Sequence, residues 1–490
     1  MSSDSADTTP SPARMTARET IALLTGATGF TEHRPAPRTL PADGPLGWAG
    51  YDAARERAAE RTGESESVVY GTGAVGGRRC VLLSFEFGFL GGSLGRLTGD
   101  RLEAAYDLAL TRRLPLVSLV ATGGSRMQEG MVALTQLQRV AAAATRLRAS
   151  GLPQVAVVRD PTTGGGWATV GAGSDVILAL PGAQVGFAGS RVRPPEAEPY
   201  AYSAEGQFAA GQVDAVVPAG ELARTVAQWL TALGPHGAPG SLPAPGASGA
   251  PGAPWPPATS SAPRPSGTGP HGALPVAPVP RALSATRLPE TGREAVERAR
   301  ATQRPRAEAY LADYFAVRLP LHGDRCGGSD PGLLCGFGLR ADGQPVAYVA
   351  QCGTPTRPAG YRTAARTIRL ADRLGVPVLT LVDTPGAAND AEAERAGAGA
   401  AIADTFAAIA AARVPVTTLV IGEGGSGGAL ALAAPDNTHV TADSYFSVIA
   451  PELAAAILKR PPSETGATAD QLWLRPQDLL ELGVARSVVG

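Results

Sequence analysis

The chain carries Pro115-Leu-Val-Ser-Leu-Val-Ala-Thr-Gly-Gly124 and, 262 residues later, the similar stretch Pro377-Val-Leu-Thr-Leu-Val-Asp-Thr-Pro-Gly386. A second pair of stretches keeps the same offset. Pro153 opens a predicted strand that ends in Pro161-Thr-Thr-Gly-Gly-Gly166, and Pro415 opens one that ends in Gly422-Glu-Gly-Gly-Ser-Gly-Gly428. Because the step between the paired strands is the same in both copies, the sequence predicts a duplicated α/β domain.

Each copy ends in glycines at a predicted strand-to-helix turn. Glycine lets backbone N–H groups approach a ligand closely, and the start of the following helix adds positive potential. Turns of this kind stabilise oxyanions. The alternative is that these glycines only allow a strand to pack closely on a helix, without any ligand. Four such turns in register make this the less favoured interpretation.

Bulk composition limits the classes of function. A chain of 490 residues is long enough for two domains. Its net charge of −1 favours neither nucleic acid nor a membrane surface as a partner. The four cysteines contain no C-x-x-C pair, so we expect reduced thiols in a cytoplasmic protein.

Lysine is almost absent, since Lys459 is the only one in the chain. A P-loop, a biotin carrier and a Schiff-base enzyme each require a lysine in a particular setting, and Lys459 has none of these settings. The chain is therefore expected to bind no nucleotide and to carry no biotin of its own.

Composition also divides the chain. Between Pro235 and Pro280, 22 of the 46 residues are proline or glycine, which predicts a disordered or extended tether. The predicted organisation is a disordered leader (1–14), a first domain (15–234), a linker (235–285) and a second domain (286–490).

Periodicity places the main elements. In the first domain we predict helices over 15–24, 101–112 and 131–149, a hairpin flanking 71–77, and strands over 116–121 and 154–159. In the second we predict helices over 291–318 and 392–412, and strands over 345–351, 378–383 and 416–422.

Two motifs carry competing interpretations. Gly71-x-Gly73-x-x-Gly76 fits a dinucleotide fingerprint but lies between two predicted strands, which favours a hairpin turn. Ser426, in Gly424-Gly-Ser-Gly-Gly428, fits a nucleophile elbow, so a serine hydrolase is a competing class. The duplicate turn has Gly164 where Ser426 stands, and the five histidines are poorly placed to act as its base.

Three arginines are candidate phosphate ligands. Arg126 lies near Glu129, so it pairs with that carboxylate or meets a coenzyme phosphate, and the sequence leaves both open. Arg191 and Arg193 follow the Gly186-Phe-Ala-Gly189 turn and form either a phosphate clamp or a solvated surface pair.

Longer motifs resemble the carboxyltransferase subunits of acetyl-CoA carboxylase, with β-like and α-like halves fused. The β-like motifs are Ser84-Phe-Glu-Phe-Gly-Phe-Leu-Gly-Gly-Ser-Leu-Gly95, Gly123-Gly-Ser-Arg-Met-Gln-Glu-Gly130, Asp160-Pro-Thr-Thr-Gly-Gly165 and Val185-Gly-Phe-Ala-Gly-Ser-Arg-Val192. The α-like motifs are Leu321-His-Gly-Asp-Arg325, Gly360-Tyr-Arg362, Asp383-Thr-Pro-Gly-Ala387, Ile421-Gly-Glu-Gly-Gly-Ser-Gly-Gly-Ala-Leu430 and Ser447-Val-Ile-Ala-Pro-Glu452. The resemblance covers most of the chain outside the leader and linker.

The resemblance implies two crotonase-like domains of ββα-spiral type and an oxyanion hole from each. One hole would hold the thioester enolate of an acyl-CoA and the other the ureido oxygen of biotin. After loss of CO2 from carboxybiotin, the biotin enolate would take the α-proton of the acyl-CoA, so the resemblance implies no side-chain base. The implied site residues are catalytic Gly164, Gly165, Gly427, Gly428 and Ala429; coenzyme-binding Gly123, Gly124, Arg126, Gly189, Arg191 and Arg193; and biotin-side Gly386, Ala387, Gly424 and Gly425.

The resemblance also implies partners. Carboxybiotin would arrive on a separate biotin carboxyl carrier protein, loaded by a separate biotin carboxylase, and the chain would form a homodimer or a larger homo-oligomer. Two other functions stay open: a decarboxylase acting on a malonyl thioester, and a non-catalytic scaffold.

Three positions depart from the family pattern. No cysteine precedes Cys80, so the zinc ribbon of many β subunits is not expected and we predict no metal. The basic loop of the α subunit is short between Gln351 and Gly360, and Ser190 replaces an expected proline. The short loop and the missing ribbon favour a dedicated biosynthetic pathway over primary fatty-acid supply.

Overall fold

The structure is a computed structural model that describes residues 14–26, 29–194, 196–233, 276–284 and 286–490. The predicted leader, except for Arg14, and most of the predicted linker lie outside the described residues. The linker's last residues do pack on the second half: Ala277 is fully buried, and its carbonyl accepts a hydrogen bond from Thr417 Oγ1 at 2.7 Å. The domain boundaries stay a prediction.

The first half is built on one eight-stranded sheet. Its spatial order is β1-β2-β3-β4-β5-β6-β8, with β7 beside β5; β1 to β3 pair antiparallel, and the remaining pairs are parallel. The strands are β1 (Phe30–His33), β2 (Val68–Val75), β3 (Arg78–Phe85), β4 (Leu116–Thr122), β5 (Gln154–Thr163), β6 (Val176–Ala179), β7 (Val185–Gly186) and β8 (Ala215–Val216).

Helices cover this sheet and follow its parallel strands. They are α1 (Ala17–Thr25), α2 (Tyr51–Thr62), α3 (Arg96–Arg112), α4 (Gly130–Leu134), α5 (Gln136–Ala149), α6 (Gly164–Gly166), α7 (Ala204–Ala209) and α8 (Ala219–Leu233). A π-helical segment, Trp167–Gly171, continues α6.

The second half repeats this sheet strand for strand. Its order is β9-β10-β11-β12-β13-β14-β16, with β15 beside β13; again the first three strands are antiparallel and the remaining pairs parallel. The strands are β9 (Val317–Leu321), β10 (Leu333–Leu339), β11 (Pro345–Gln351), β12 (Val378–Thr384), β13 (Val416–Gly425), β14 (Thr438–Thr441), β15 (Tyr445–Ser447) and β16 (Ser487–Val489).

Nine helices belong to the described part of the second half. They are α9 (Gly292–Arg300), α10 (Ala307–Tyr314), α11 (Pro358–Leu374), α12 (Ala391–Arg395), α13 (Ala398–Ala411), α14 (Ser426–Leu430), α15 (Pro451–Ile457), α16 (Thr465–Gln471) and α17 (Pro476–Glu481). The largest hydrophobic core contains residues of both halves, and α13 packs directly on α5.

The duplication extends to irregularities in the sheets. The register between β4 and β5 shifts after Val120 so that Thr122 faces Thr162; the register between β12 and β13 shifts after Val382 so that Thr384 faces Gly424. All four positions keep the 262-residue offset. The predicted duplicated α/β fold is therefore confirmed.

Three predicted helices are wrong in extent. The segment 291–318 forms α9, α10 and the start of β9, because Pro305 interrupts the helical pattern. The segment 392–412 breaks at Gly397, whose φ of +80° is left-handed. The segment 131–149 divides between α4 and α5 at Thr135.

The glycine-rich hairpin is confirmed, but its turn is shorter than predicted. Gly71 and Gly73 lie inside β2, and only Gly76 and Gly77, both with positive φ, make the turn into β3. Close approach explains Gly71, since a Cβ there would lie 2.1 Å from the Thr31 carbonyl oxygen. Within the described residues, no helix has the length and apolarity needed to cross a bilayer.

Candidate active site between the two halves

A cavity of about 640 Å³ lies where the glycine turns of the two halves face each other. Leu137, on α5, lines this cavity and lies between the two turns: a Cβ on Gly165 would lie 2.5 Å from its Cδ1, and a Cβ on Gly427 would lie 3.6 Å from the same atom. The first half contributes to the wall Gly123, Gly124, Ser125, Gly164, Gly165, Phe187, Gly189 and Arg191. The second half contributes Pro385, Gly386, Ala387, Ser426, Gly427 and Ile449.

The turn after β4 is held by three hydrogen bonds. Gly124 N–H donates to Thr122 Oγ1 at 3.0 Å, and the Gly124 carbonyl accepts from Leu94 N–H at 2.9 Å. Arg126 N–H donates to the Leu94 carbonyl at 2.9 Å. These bonds use the residues on either side of Ser125, so the Ser125 N–H has no acceptor among the described residues.

The turn after β12 repeats these contacts. Gly386 N–H donates to Thr384 Oγ1 at 3.1 Å, its carbonyl accepts from Thr356 N–H at 3.0 Å, and Ala388 N–H donates to the Thr356 carbonyl at 2.8 Å. Within the described residues the Ala387 N–H is left without an acceptor, as at Ser125.

A second turn in each half starts a helix. Gly164 opens α6 with φ +67°, and Ser426 opens α14 with φ +53°. The next residues, Gly165 and Gly427, are buried at the second helical position, where an N–H group has no partner inside the helix. Each half therefore offers the cavity two kinds of unpaired amide, one after a strand and one at a helix start.

The two turns of each half touch through their backbones. A Cβ on Gly164 would lie 3.0 Å from Gly124 Cα, and a Cβ on Gly428 would lie 2.4 Å from Ala387 N. Side chains at these positions would separate the turns. Preorganised amides of this kind stabilise negative charge that develops on a carbonyl oxygen, because they need no reorganisation during the reaction.

The structure divides the predicted catalytic residues into two groups. Gly164, Gly165 and Gly427 line the cavity. The Gly164 N–H, however, donates to the Phe187 carbonyl at 3.1 Å, so Gly164 shapes the turn and does not supply a free donor. Gly428 and Ala429 are buried behind the wall, and the Gly428 carbonyl accepts from Tyr361 OH at 2.9 Å.

The coenzyme-side assignment of Arg126 is corrected. Its guanidinium is fully buried and bonds both Glu66 oxygens, at 2.7 and 2.8 Å, and lies 3.5 Å from Glu129. Burial works against the charge, but Glu66 holds the pKa of Arg126 above its usual value. Although burial opposes ionisation of Glu66, Arg126 holds the pKa of that carboxyl below its usual range. Arg126 is thus a structural ion-pair residue.

Arg193, also predicted on the coenzyme side, is not among the residues that line the cavity. Its Nε donates to the Ala188 carbonyl at 3.0 Å, and its guanidinium lies 4.2 Å from the centre of the Tyr202 ring. Arg191, in contrast, is exposed at the cavity and makes no ion pair within the described residues. Gly123, Gly124 and Gly189 line the same side.

Two of the four predicted biotin-side residues line the cavity. Gly386 and Ala387 do so, whereas Gly424 and Gly425 are buried in β13 and do not. A Cβ on Gly424 would lie 2.6 Å from the Phe446 ring, and one on Gly425 would lie 2.0 Å from the Pro385 carbonyl oxygen. These two glycines permit close backbone packing beneath the turn.

Ser426 lacks the partner that a hydrolase requires. Both ring nitrogens of His439 are engaged elsewhere, with Ser487 Oγ at 2.7 Å and Asn437 Oδ1 at 3.2 Å. No described histidine bonds to Ser426. Among the described residues, no group of His, Cys, Asp and Glu side chains is arranged to hold a metal ion.

Sequence reasoning missed three residues of this site. Ser125 contributes its amide N–H, which every residue type except proline possesses and which no pattern marks. Arg14, placed in the predicted leader, lines the cavity mouth, pairs with Asp160 at 2.9 Å and lies over the Phe87 ring. Glu394 reaches the site from the second half, as described below.

Comparison with known proteins agrees with this geometry. Residues 45–216 match the family model described as "Carboxyl transferase domain", and residues 289–490 match "Acetyl co-enzyme A carboxylase carboxyltransferase-like". The chain is 36% identical over 477 residues to a Saccharopolyspora erythraea protein, covering 94% of this chain and 75% of that one. It is 38% identical over 495 residues to a Salinispora arenicola protein, covering 97% and 82%. Both relatives are named acetyl-coenzyme A carboxylase carboxyl transferase subunits beta/alpha.

The fold, the paired turns and these relatives define a carboxyltransferase of the biotin-dependent acyl-CoA carboxylases, with two duplicated α/β halves. Within that class, the chain belongs to the family of acetyl-CoA carboxylase carboxyl transferases in which the β and α subunits are fused.

Solved structures are more distant. Transcarboxylase 12S with bound methylmalonyl-coenzyme A aligns with a TM-score of 0.38 at 20% identity, covering 97% of this chain and 87% of that one. The β subunit of Pseudomonas aeruginosa geranyl-CoA carboxylase aligns with a TM-score of 0.35 at 21% identity, covering 97% and 84%. The family assignment rests on the sequence relatives.

Proposed function

We propose that this chain transfers a carboxyl group from carboxybiotin to the α-carbon of acetyl-CoA or another short acyl-CoA, giving malonyl-CoA or its homologue. The observation that supports it best is that two sets of unpaired amides, one from each half, face a single cavity. Two substrates whose carbonyl oxygens both gain negative charge need two such sets.

The first half is the proposed thioester side. The Ser125 and Gly165 amides would stabilise the thioester oxygen while the α-proton leaves, and Arg191 and Arg14 at the same wall suit coenzyme phosphates. Leu137 and Phe187 would keep water from the reacting carbon, because both apolar side chains line the cavity.

The second half is the proposed biotin side. The Ala387 and Gly427 amides have no acceptor within the described residues and so fit a ureido oxygen. When bound, carboxybiotin supplies the carboxyl group. It would arrive on a separate carrier protein, since the only lysine, Lys459, directly follows α15 and not a carrier hairpin.

The proposed partners are a biotin carboxyl carrier protein, a biotin carboxylase and a second copy of this chain. Neither nucleic acid nor a membrane is a proposed partner, and the proposed location is the cytoplasm. Whether the product enters fatty-acid synthesis or a dedicated pathway is decided by growth complementation of a strain that lacks the housekeeping subunits.

The test is a reconstituted carboxylation. The purified chain with ATP, bicarbonate and an acyl-CoA should form no product alone and should form malonyl-CoA once biotin carboxylase and a biotinylated carrier are added. Running acetyl-, propionyl- and butyryl-CoA side by side gives the chain-length preference. Carboxylation without the two partners would contradict the proposal.

A further inference from the structure

Glu394, on α12 of the second half, contacts the first half directly. Its side chain is 1% exposed, and its two oxygens accept hydrogen bonds from consecutive backbone amides, Phe187 N–H at 3.0 Å and Ala188 N–H at 2.8 Å. Gly186 leaves room for it, because a Cβ there would lie 3.2 Å from the carboxylate carbon. No described lysine or arginine forms an ion pair with this carboxylate.

The segment that Glu394 binds, Phe187 and Ala188, is also hydrogen-bonded to the turn formed by Gly164 and Gly165. The Phe187 carbonyl accepts the Gly164 N–H at 3.1 Å, and Gly165, with its unpaired amide, is the next residue. The Phe187 ring also reaches the other half, since a Cβ on Gly427 would lie 3.8 Å from its Cζ. Phe187 therefore contacts both helix-start turns of the cavity.

Other contacts fix the same segment without touching Gly164. Arg193 Nε donates to the Ala188 carbonyl, Asn389 Nδ2 donates to the Val192 carbonyl at 3.0 Å, and Tyr202 OH donates to the Asn389 carbonyl at 2.7 Å. Arg395 pairs with Glu198 at 2.5 Å on the exposed rim. Of these side chains, only Glu394 forms a hydrogen bond with the peptide unit between Phe187 and Ala188, whose carbonyl accepts the Gly164 N–H.

We infer that Glu394 is a positioning residue for the thioester side: from the second half it fixes the Phe187 and Ala188 amides, and through the Phe187 carbonyl it sets the Gly164–Gly165 turn. The oxyanion turn of one half is thereby completed by a carboxylate of the other. The kinetic test of this inference rests on the proposed function, but its hydrogen–deuterium exchange test does not.

Ionisation of Glu394 gives a specific signature. Burial raises the pKa of Glu394 to about 7; hydrogen bonds from the Ala188 and Phe187 amides and the charge of Arg193 oppose this shift, Asp390 adds to it, and Tyr202 also interacts with the carboxyl. A protonated carboxyl replaces one acceptor with an O–H group that faces an N–H donor. Turnover is expected to fall as the pH drops through about 7, because the carboxyl group then takes up a proton.

The stability effect has the opposite sign. Because the folded chain holds this proton more tightly than the unfolded chain, the contribution of Glu394 to stability is greatest in acid and is lost as the pH rises to about 7. A loss of turnover below pH 7 at constant or higher melting temperature therefore separates positioning from unfolding at this residue.

The experiment compares E394Q and E394D with R395Q, which removes the neighbouring rim ion pair only. In biocytin-dependent decarboxylation of malonyl-CoA, E394Q should lower kcat about 10- to 100-fold, the scale of a misplaced catalytic group, with little change in the KM for malonyl-CoA. Its kcat should lose the pH dependence near 7; E394D should retain part of it, and R395Q should behave as wild type.

Hydrogen–deuterium exchange supplies a readout that needs no activity. Peptides covering 163–171 and 185–193 should exchange faster in E394Q and unchanged in R395Q. Wild-type kcat and exchange in E394Q, or equal changes in E394Q and R395Q, would overturn the inference. An inactive wild type would count against the proposed function alone, since the exchange comparison would still decide the role of Glu394.

Discussion

The Gly124 turn and the Gly386 turn are held by equivalent hydrogen bonds, but different side chains surround them. Each glycine N–H bonds the threonine two residues earlier, and each carbonyl accepts from a residue thirty positions earlier. Behind the first turn lies the buried Arg126 with Glu66; the equivalent position in the second half is Ala388, and the buried charge there is Asp383 with Arg304.

This difference shows which part of the duplicated unit the chemistry requires. The backbone hydrogen bonds that hold the turn are the same in both halves, whereas the side chains behind them have diverged. A site made of amides tolerates such divergence, because any buried network that holds the turn serves equally well. The halves are then free to bind different substrates.

Gly428→Ala is expected to give the largest effect. The added Cβ would lie 2.4 Å from Ala387 N and 2.9 Å from Gly386 C, so the second-half turn must move. Loss of an oxyanion donor costs about 10²–10³ in rate, and kcat for biocytin-dependent decarboxylation should fall by that factor.

Gly427→Ala is the matched control for that substitution. A Cβ on Gly427 would meet Leu137 and Phe187 at 3.6 Å and beyond, which is ordinary contact. It should therefore keep the turn and lose less activity. If Gly428→Ala retains wild-type kcat, the Ala387 amide has no role in turnover.

Thr122→Val and Thr384→Val test the roles of the two halves separately. Each removes the hydroxyl that accepts the glycine N–H, at 3.0 Å in the first half and 3.1 Å in the second. Leaving one buried N–H unpaired costs about 1–3 kcal/mol, so an effect near tenfold is expected. Thr122→Val should act on the KM for malonyl-CoA and Thr384→Val on the KM for biocytin; the reverse pattern would exchange the substrate assignments.

Arg191→Gln tests one of the two arginines proposed to bind coenzyme phosphates. Because Arg191 is exposed, its contact with a phosphate should contribute under about 1 kcal/mol, so the KM for malonyl-CoA should rise about 2- to 5-fold. The rise should disappear at high salt. Arg224→Gln, which alters an exposed ion pair on α8, is the control and should leave the KM unchanged.

Ser426→Gly is expected to give the smallest effect and makes the two halves alike at this position. Ser426 has a left-handed backbone with φ +53°, which glycine adopts without strain, as Gly164 does. Turnover should stay within about twofold of wild type, because only the backbone is needed here. Complete loss of activity with an intact fold would revive the serine nucleophile.

The sequence predicted the duplicated sheets because a repeated strand–turn unit with a constant offset leaves little freedom in topology. It also predicted which turns face the cavity. It could not place Arg126, whose partner Glu66 lies 60 residues earlier in the chain. Nor could it predict Glu394, which meets Phe187 across 207 residues and the interface between the halves. Contacts of that range leave no local pattern.

The sequence also could not show which backbone amides in the turns are free to donate to a ligand. Among the described residues the Ser125 and Ala387 N–H groups have no acceptor, because their neighbours bond to Leu94 and Thr356, and this depends on the folded backbone. A glycine pattern indicates where a chain approaches a ligand, but it does not tell which residue in the turn donates. The glycine pattern therefore also points to Gly428 and Ala429, which are buried and are not among the residues that line the cavity.

The central claim is that both halves act on one cavity, one binding the acyl-CoA and the other biotin. The most direct test is the initial rate of malonyl-CoA loss by the purified chain, with and without biocytin. The account predicts loss of the carboxyl group that depends on biocytin and saturates with both substrates. Loss at the same rate without biocytin would indicate a decarboxylase, and no loss of the carboxyl group in either reaction would contradict the claim.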